Sequence, residues 1–202
     1  MFITLEGIDG SGKSTQARML FEFLNSDGGA VLTREPGGWE GSAPLREAVT
    51  SGALLHPWSE VFLFMLDRTE HAARVISPAL ADGKNVICER YHDSTLAYQS
   101  WGRGMPLAPL EELARLAKLP VPDVTILLTL DEEIAYSRVR GRGAPDSFER
   151  EGLDFMRKIN SGYHALAAKS PERWAVIECG ELSAQEVHRL IKNALAARGL
   201  VS

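Results

Sequence analysis

Residues 7–15 read GIDGSGKST and satisfy the pattern G-x-x-x-x-G-K-[ST] in full. Each position has a reason in phosphate chemistry. Gly7, Gly10 and Gly12 permit backbone conformations that turn successive N–H groups of Ile8, Asp9, Ser11 and their neighbours inward around phosphate oxygens. Lys13 supplies a point charge to the outer phosphates, and Ser14, followed by Thr15, can place a hydroxyl on Mg²⁺. A helix beginning at Lys13 adds the positive end of its dipole. The stretch therefore predicts a site for a nucleoside triphosphate. Asp9 is out of place in such a site, because a carboxylate stands among groups arranged to receive anions.

A second concentration of charge lies in SRVRGRGAPDSFE, residues 137–149, where Arg138, Arg140 and Arg142 occupy every other position. Two readings fit this segment by itself. One is a solvated basic helix end running into a loop, and the other is a mobile cover over a polyanion. Further arginines follow predicted strand ends or a glycine turn: Arg34, Arg46 and Arg90. A guanidinium fork can hold two phosphate oxygens at once, so arginines at strand ends suit a phosphorylated second substrate.

These residues need a scaffold. Five short runs rich in Val, Ile, Leu and Thr read as strands buried on both faces: 2–7, 30–35, 85–90, 124–130 and 174–179. Helical patterns separate them, from Lys13 to about Leu24, Ser59 to about Leu80, Pro109 to Lys118, Glu132 to Arg140 and Leu153 to Ala168. Pro78 is expected to bend or shorten the second of these. A final helix opens on the capping-box pair Ser183 and Glu186 and ends at Gly199. Alternating strands and helices predict an α/β, doubly wound, five-stranded parallel sheet with right-handed crossovers. In such sheets ligands bind beyond the carboxyl ends of the strands, which here carry Glu6, Arg34, Glu35, Glu89, Arg90 and Asp131.

Composition narrows the partners. The chain has 202 residues, enough for one domain with a well-buried core, and its 45% apolar and 24% charged fractions are those of a soluble protein. A formal net charge of -5 argues against a general nucleic-acid binder. No apolar run approaches the roughly 20 residues that cross a bilayer, and the N-terminus lacks a signal-peptide pattern. Cys88 and Cys179 read as buried thiols in adjacent strands, consistent with a reducing, cytoplasmic compartment, and neither suggests a metal site. A GTPase switch would need N-K-x-D, which does not occur.

Over essentially its full length the chain resembles the thymidylate kinases of the bacterial type. The resemblance rests on EGIDGSGKST, TREPGG (33–38), FLFMLDRTEH (62–71), ERYHDSTLAYQ (89–99), the RGR…DSFE segment and FMRKINSGYHALA. It implies a P-loop NTPase fold, a single kinase domain over 1–202 with a lid at about 138–150, and Mg²⁺-dependent transfer from ATP to dTMP in dTTP biosynthesis. It also implies a homodimer, with the apolar 61–66 stretch as part of the interface.

Roles follow residue by residue from that resemblance. Asp9 hydrogen-bonds the acceptor's 3′-hydroxyl. Arg46 and Arg90 grip its phosphate, and Arg34 helps order the region. Phe64 stacks on thymine and Arg68, one helical turn away, reads a base carbonyl. Thr95 and Gln99 bond the base edge, and Tyr98 packs where a 2′-hydroxyl would sit. Lys13, Arg90 and the lid arginines stabilise charge on the moving phosphoryl group. The phosphate loop holds no arginine, so Arg142 of the lid is the expected catalytic arginine, with Arg138 and Arg140 beside it on ATP. Three positions depart from the family pattern. Glu89 replaces an aspartate and is the expected second Mg²⁺ ligand, Trp39 replaces a threonine, and Ser147 stands where the lid carries an arginine. The Glu89-Arg90 pair also leaves open a deoxynucleoside kinase, and a nucleotide-binding member without activity is the non-enzymatic alternative.

Overall fold

A computed structural model describes residues 1–25, 29–141 and 147–201. Five strands, β1 (Phe2–Glu6), β2 (Ala30–Arg34), β3 (Asn85–Glu89), β4 (Val124–Thr129) and β5 (Trp174–Glu178), form one parallel sheet in the order β2-β3-β1-β4-β5. The register sets Leu5 and Arg34 opposite Glu89, and Glu6 opposite Leu127. The carboxyl ends of the three strands β2, β3 and β1 therefore finish side by side. This is the P-loop NTPase arrangement, with β1 in the middle of the sheet.

Alternate residues of β1 and β3 feed cores on opposite faces of the sheet. Ile3, Leu5 and Ile87 join the larger cluster with Leu20, Tyr163, Leu166 and Ile191. Phe2, Val86 and Cys88 join Ile76, Ala79 and Tyr91 on the other face. Cys88 and Cys179 are both buried and free. They do not sit on adjacent strands, however: Cys88 is on β3 and Cys179 follows β5, with β1 and β4 between them. The order of strands in space differs from their order in the chain, and composition carries no record of it.

The helices are α1 (Lys13–Leu24), α2 (Ala43–Thr50), α3 (Pro57–His71), α4 (Ser77–Ala81), α5 (His92–Thr95), α6 (Leu107–Leu116), α7 (Glu132–Arg140), α8 (Leu153–Lys169) and α9 (Ala184–Ala196). The expected helix over 59–80 starts earlier, at Pro57, with His56 as its cap, and widens into a π-helical turn over Ala72–Ile76. Pro78 is the second residue of α4, directly after the π-helical turn, where the α-helical bonding pattern is already interrupted. The helix expected from Pro109 starts at Leu107 and stops at Leu116. A second π-helical stretch, Leu96–Gly102, continues α5 and packs on α8. Arg46 lies in the body of α2. No helix among the described residues is long and apolar enough to cross a membrane.

Candidate active site

The phosphate loop follows β1 and turns into α1 through three glycines with positive φ, Gly7, Gly10 and Gly12. Two of them are also required by packing. A Cβ on Gly7 would lie 2.4 Å from the Leu128 carbonyl oxygen, and one on Gly10 would lie 2.5 Å from that of Ala135. The loop is thus pressed against β4 and α7. Lys13 is buried and donates to the loop's own carbonyls, Gly7 O at 3.0 Å and Ile8 O at 2.8 Å. Burial and the nearby Arg90 charge push its pKa down to about 8, with Asp9 and Glu89 opposing them.

A cavity of about 220 Å³ opens beside this loop. Ser14 and Glu89 line one end; Phe64, Arg68, Thr95, Tyr98 and Gln99 line the other; Arg34, Arg46 and Arg90 stand among them. Residues from α1, the strand ends, α2, α3 and the π-helical stretch are therefore brought to one space. Tyr98 and Gln99 are consecutive yet both face it. The widened turn that carries them is a geometry found often at functional sites.

Arg90 is the centre of the charge network. Its backbone adopts φ 64, which is uncommon for a residue with a side chain. Its guanidinium donates to Asp9 at 2.6 Å, Tyr163 Oη at 3.1 Å, Ser94 Oγ at 3.2 Å and Gly7 O at 3.3 Å. Beneath it, fully buried Glu6 accepts from Tyr91 N at 2.8 Å, Ser94 Oγ at 2.6 Å and Tyr163 Oη at 3.0 Å. Burial and the neighbouring Asp93 raise Glu6 to about 7 despite those bonds. Asp9 also accepts from Tyr98 Oη at 3.0 Å. Burial alone would raise its pKa, but the charges of Arg90 and Lys13 outweigh that and hold it well below the usual carboxylate range.

The end of the cavity around Arg68 is equally braced. Arg68 is buried and donates to Glu35 at 2.7 Å, Thr95 Oγ1 at 2.9 Å and Tyr91 O at 3.1 Å, with Met65 Sδ at 3.9 Å. Glu35 in turn meets His71 Nδ1 at 2.9 Å, and His71 Nε2 meets Thr33 Oγ1 at 2.7 Å. Cys88 lies close to Glu35 and His71, but the histidine and carboxylate are already engaged with each other and with Thr33 and Arg68. Gln99 donates its amide to Glu60 at 3.2 Å, and its buried Oε1 has no partner among the described residues. Arg46 reaches the Pro36 carbonyl at 2.8 Å, while Arg34 is exposed at the cavity wall.

On the donor side, Ser14 Oγ donates to Glu89 Oε1 at 2.9 Å, so the two expected metal ligands do meet. Hard oxygen donors of this kind suit Mg²⁺. Arg138 donates to Gly10 O at 3.3 Å, and the Arg140 guanidinium lies 5.8 Å from the Tyr136 ring centroid. Both are exposed. Arg142 lies outside the described residues. Ser147, beyond it, donates to the end of α2 through its N to Thr50 O at 3.0 Å and its Oγ to Val49 O at 3.2 Å.

Sequence reasoning missed several residues here. Phe148 lines the cavity against Phe64 and Tyr98. Ser94 and Tyr163 hold Arg90, and Glu35, which the sequence already places at a charged strand end, holds Arg68. Phe148, Ser94 and Tyr163 lie inside the stretches that carry the family resemblance, but their residue types do not mark these roles.

The chain matches the family model for thymidylate kinase over residues 5–191. It is 45% identical over 183 residues to the thymidylate kinase of Pelotomaculum thermopropionicum, covering 88% of this chain and 84% of that one. It is 46% identical over 182 residues to that of Synechococcus sp. strain JA-3-3Ab, covering 89% and 88%. Its fold superposes on the crystal structure of thymidylate kinase from Ehrlichia chaffeensis with a TM-score of 0.81 at 32% identity, covering 96% of this chain and 98% of that one. With the phosphate loop and the arginine-lined cavity already in place, these matches show that the chain belongs to the thymidylate kinase family.

Proposed function

We propose that the chain transfers the γ-phosphoryl group of ATP to dTMP, giving ADP and dTDP on the route to dTTP. The observation that carries this reading is the single cavity that runs from Ser14 at the phosphate loop, past Asp9 and Arg90, to Phe64 and Gln99. Donor and acceptor would meet where Arg90 stands. Phosphoryl transfer depends on alignment and charge neutralisation more than on covalent catalysis, and the residues present are suited to that.

The acceptor phosphate falls to Arg46 and Arg90, with Arg34 at the wall. Asp9 accepts the sugar 3′-hydroxyl beside Tyr98, whose ring closes the floor. Thymine lies on Phe64. The Oε1 of Gln99, unpartnered among the described residues, would accept from the base N3–H, and Arg68 has one of its five N–H groups left for a base carbonyl. A nucleoside lacking the phosphate would leave the arginine cluster without its anion, which favours a monophosphate acceptor over the deoxynucleoside reading.

On the donor side, Lys13 exchanges the loop carbonyls for donor phosphate oxygens, and the loop N–H groups receive the rest. Ser14 and Glu89 would hold Mg²⁺, which when bound neutralises charge on the donor phosphates. The segment 138–150 acts as the lid, with Arg142 as its main contribution. Its described ends already touch the two halves of the site, Arg138 at Gly10 and Ser147 at α2. The exposed Phe62 and Leu66 of α3 form part of a homodimer interface. Incubating purified protein with ATP, Mg²⁺ and dTMP tests the reaction: dTDP and ADP should appear in equal amounts. ADP without dTDP would mean hydrolysis instead.

A further inference from the structure

Trp39 ties together the two helices that carry the acceptor contacts. Its indole Nε1 donates to Asp67 Oδ1 at 2.9 Å, and the other carboxylate oxygen of Asp67 accepts from Gly37 N at 3.1 Å. Asp67 is buried on α3, one residue before Arg68, so both of its oxygens are spent on the loop after β2. At its other end, the Trp39 carbonyl accepts from Ser42 N at 3.2 Å and from Ser42 Oγ at 2.5 Å. Ser42 is buried at the start of α2, and its own carbonyl receives Arg46 N at 3.1 Å. One residue thus links Asp67 on the base-side helix to the helix that bears Arg46.

The loop between has little freedom to compensate. A Cβ on Gly38 would meet Arg34 O at 2.4 Å, His71 Nε2 at 2.5 Å and Thr33 Oγ1 at 2.6 Å, so the loop backbone is packed against β2 and α3. The indole face is covered by the Arg74 guanidinium, 5.2 Å from the ring centroid, and Arg74 is held by Glu70 at 2.6 Å. Pro36, inside the same loop, supplies the carbonyl that orients Arg46.

We infer that Trp39 is a positioning residue for the acceptor phosphate: its hydrogen bond to Asp67 sets where Arg46 stands relative to Arg68 and Phe64. This rests on the dTMP reading of the site. Without the N–H the loop loses its tie to α3 and the phosphate clamp drifts from the base pocket, while the donor half, built on β1 and α1, is untouched.

The test is steady-state kinetics of Trp39→Phe and Asp67→Asn beside the parent protein. The phenylalanine keeps the aromatic face for Arg74 and removes only the donor. The asparagine can accept from one of its two present donors but not from both in the same way. In both variants the KM for dTMP should rise about tenfold, while kcat and the KM for ATP stay within about twofold of the parent's. The double variant should lose less than the sum of the two single losses, because both changes loosen the same attachment of the loop to α3. A dTMP KM unchanged in both variants would overturn the inference. So would a parallel loss in kcat and both KM values, or failure of Trp39→Phe to fold, since either would make the residue a general support. If the parent protein itself does not phosphorylate dTMP, the functional reading fails instead, and the two failures are told apart.

Discussion

At the acceptor end of the cavity nearly every polar side chain is already tied to another, whereas at the donor end the charged groups are either turned onto their own loop or left in solvent. Arg68, Glu35, His71 and Thr33 form a continuous buried chain, and Arg90 has four partners above fully buried Glu6. Lys13, by contrast, caps the carbonyls of Gly7 and Ile8, and Arg138 and Arg140 are exposed. The difference has a physical reading. Buried polar networks fix geometry and are costly to leave half made, so the acceptor is met by a built site. On the proposed reading the donor side exchanges partners when phosphates arrive, so binding there would assemble the catalytic charges.

This contrast can be attacked from both ends. The largest effect is expected at the donor side. Lys13→Ala should lower kcat by about 10²–10³-fold and leave dTMP affinity, measured by calorimetry without ATP, close to the parent's. A matching loss of dTMP affinity would mean that the two halves are not separately built. Arg142→Ala should follow, with turnover reduced about 10–100-fold and dTMP binding much less affected. Equal losses would point to a folding role for that arginine.

Phe64→Ala tests the opposite half. Removing an aromatic face that offers about 1.5–3 kcal/mol of apolar burial should weaken dTMP binding by roughly 10–100-fold, with a smaller change in the KM for ATP. An ATP effect as large as the dTMP effect would remove the distinction between the halves. The smallest expected effect is that of pH. The Lys13 pKa of about 8 in the nucleotide-free protein makes the lysine mostly cationic at neutral pH and progressively neutral above it. Phosphates bind the cation, so ATP binding should take up protons and weaken severalfold as pH rises through 8. ATP affinity that is flat from pH 7 to 9 would place the charge elsewhere.

Much of this contrast could be read from the sequence on the donor side and little of it on the acceptor side. The strands stand out because burial on both faces leaves unbroken runs such as VTILLT, and the phosphate loop stands out because its residues are contiguous. The acceptor side is assembled from afar. Glu6 meets Tyr163 across 157 residues, and Trp39 meets Asp67 across 28, with no periodicity linking either pair. The π-helical stretches at Ala72–Ile76 and Leu96–Gly102 were equally hidden, since a change of hydrogen-bond register leaves no mark in residue type. Trp39 and Ser147 were visible only as odd residues. Their partners, Asp67 and the end of α2, are brought to them only by the fold.

The cavity's most specific claim is that its arginines wait for a phosphate already on the acceptor. Initial rates of ADP formation with saturating ATP and Mg²⁺, measured in parallel with dTMP and with thymidine, test it directly. The arrangement of Arg46, Arg90 and Asp9 predicts strong turnover of dTMP and little of thymidine. Strong turnover of thymidine with none of dTMP would contradict it.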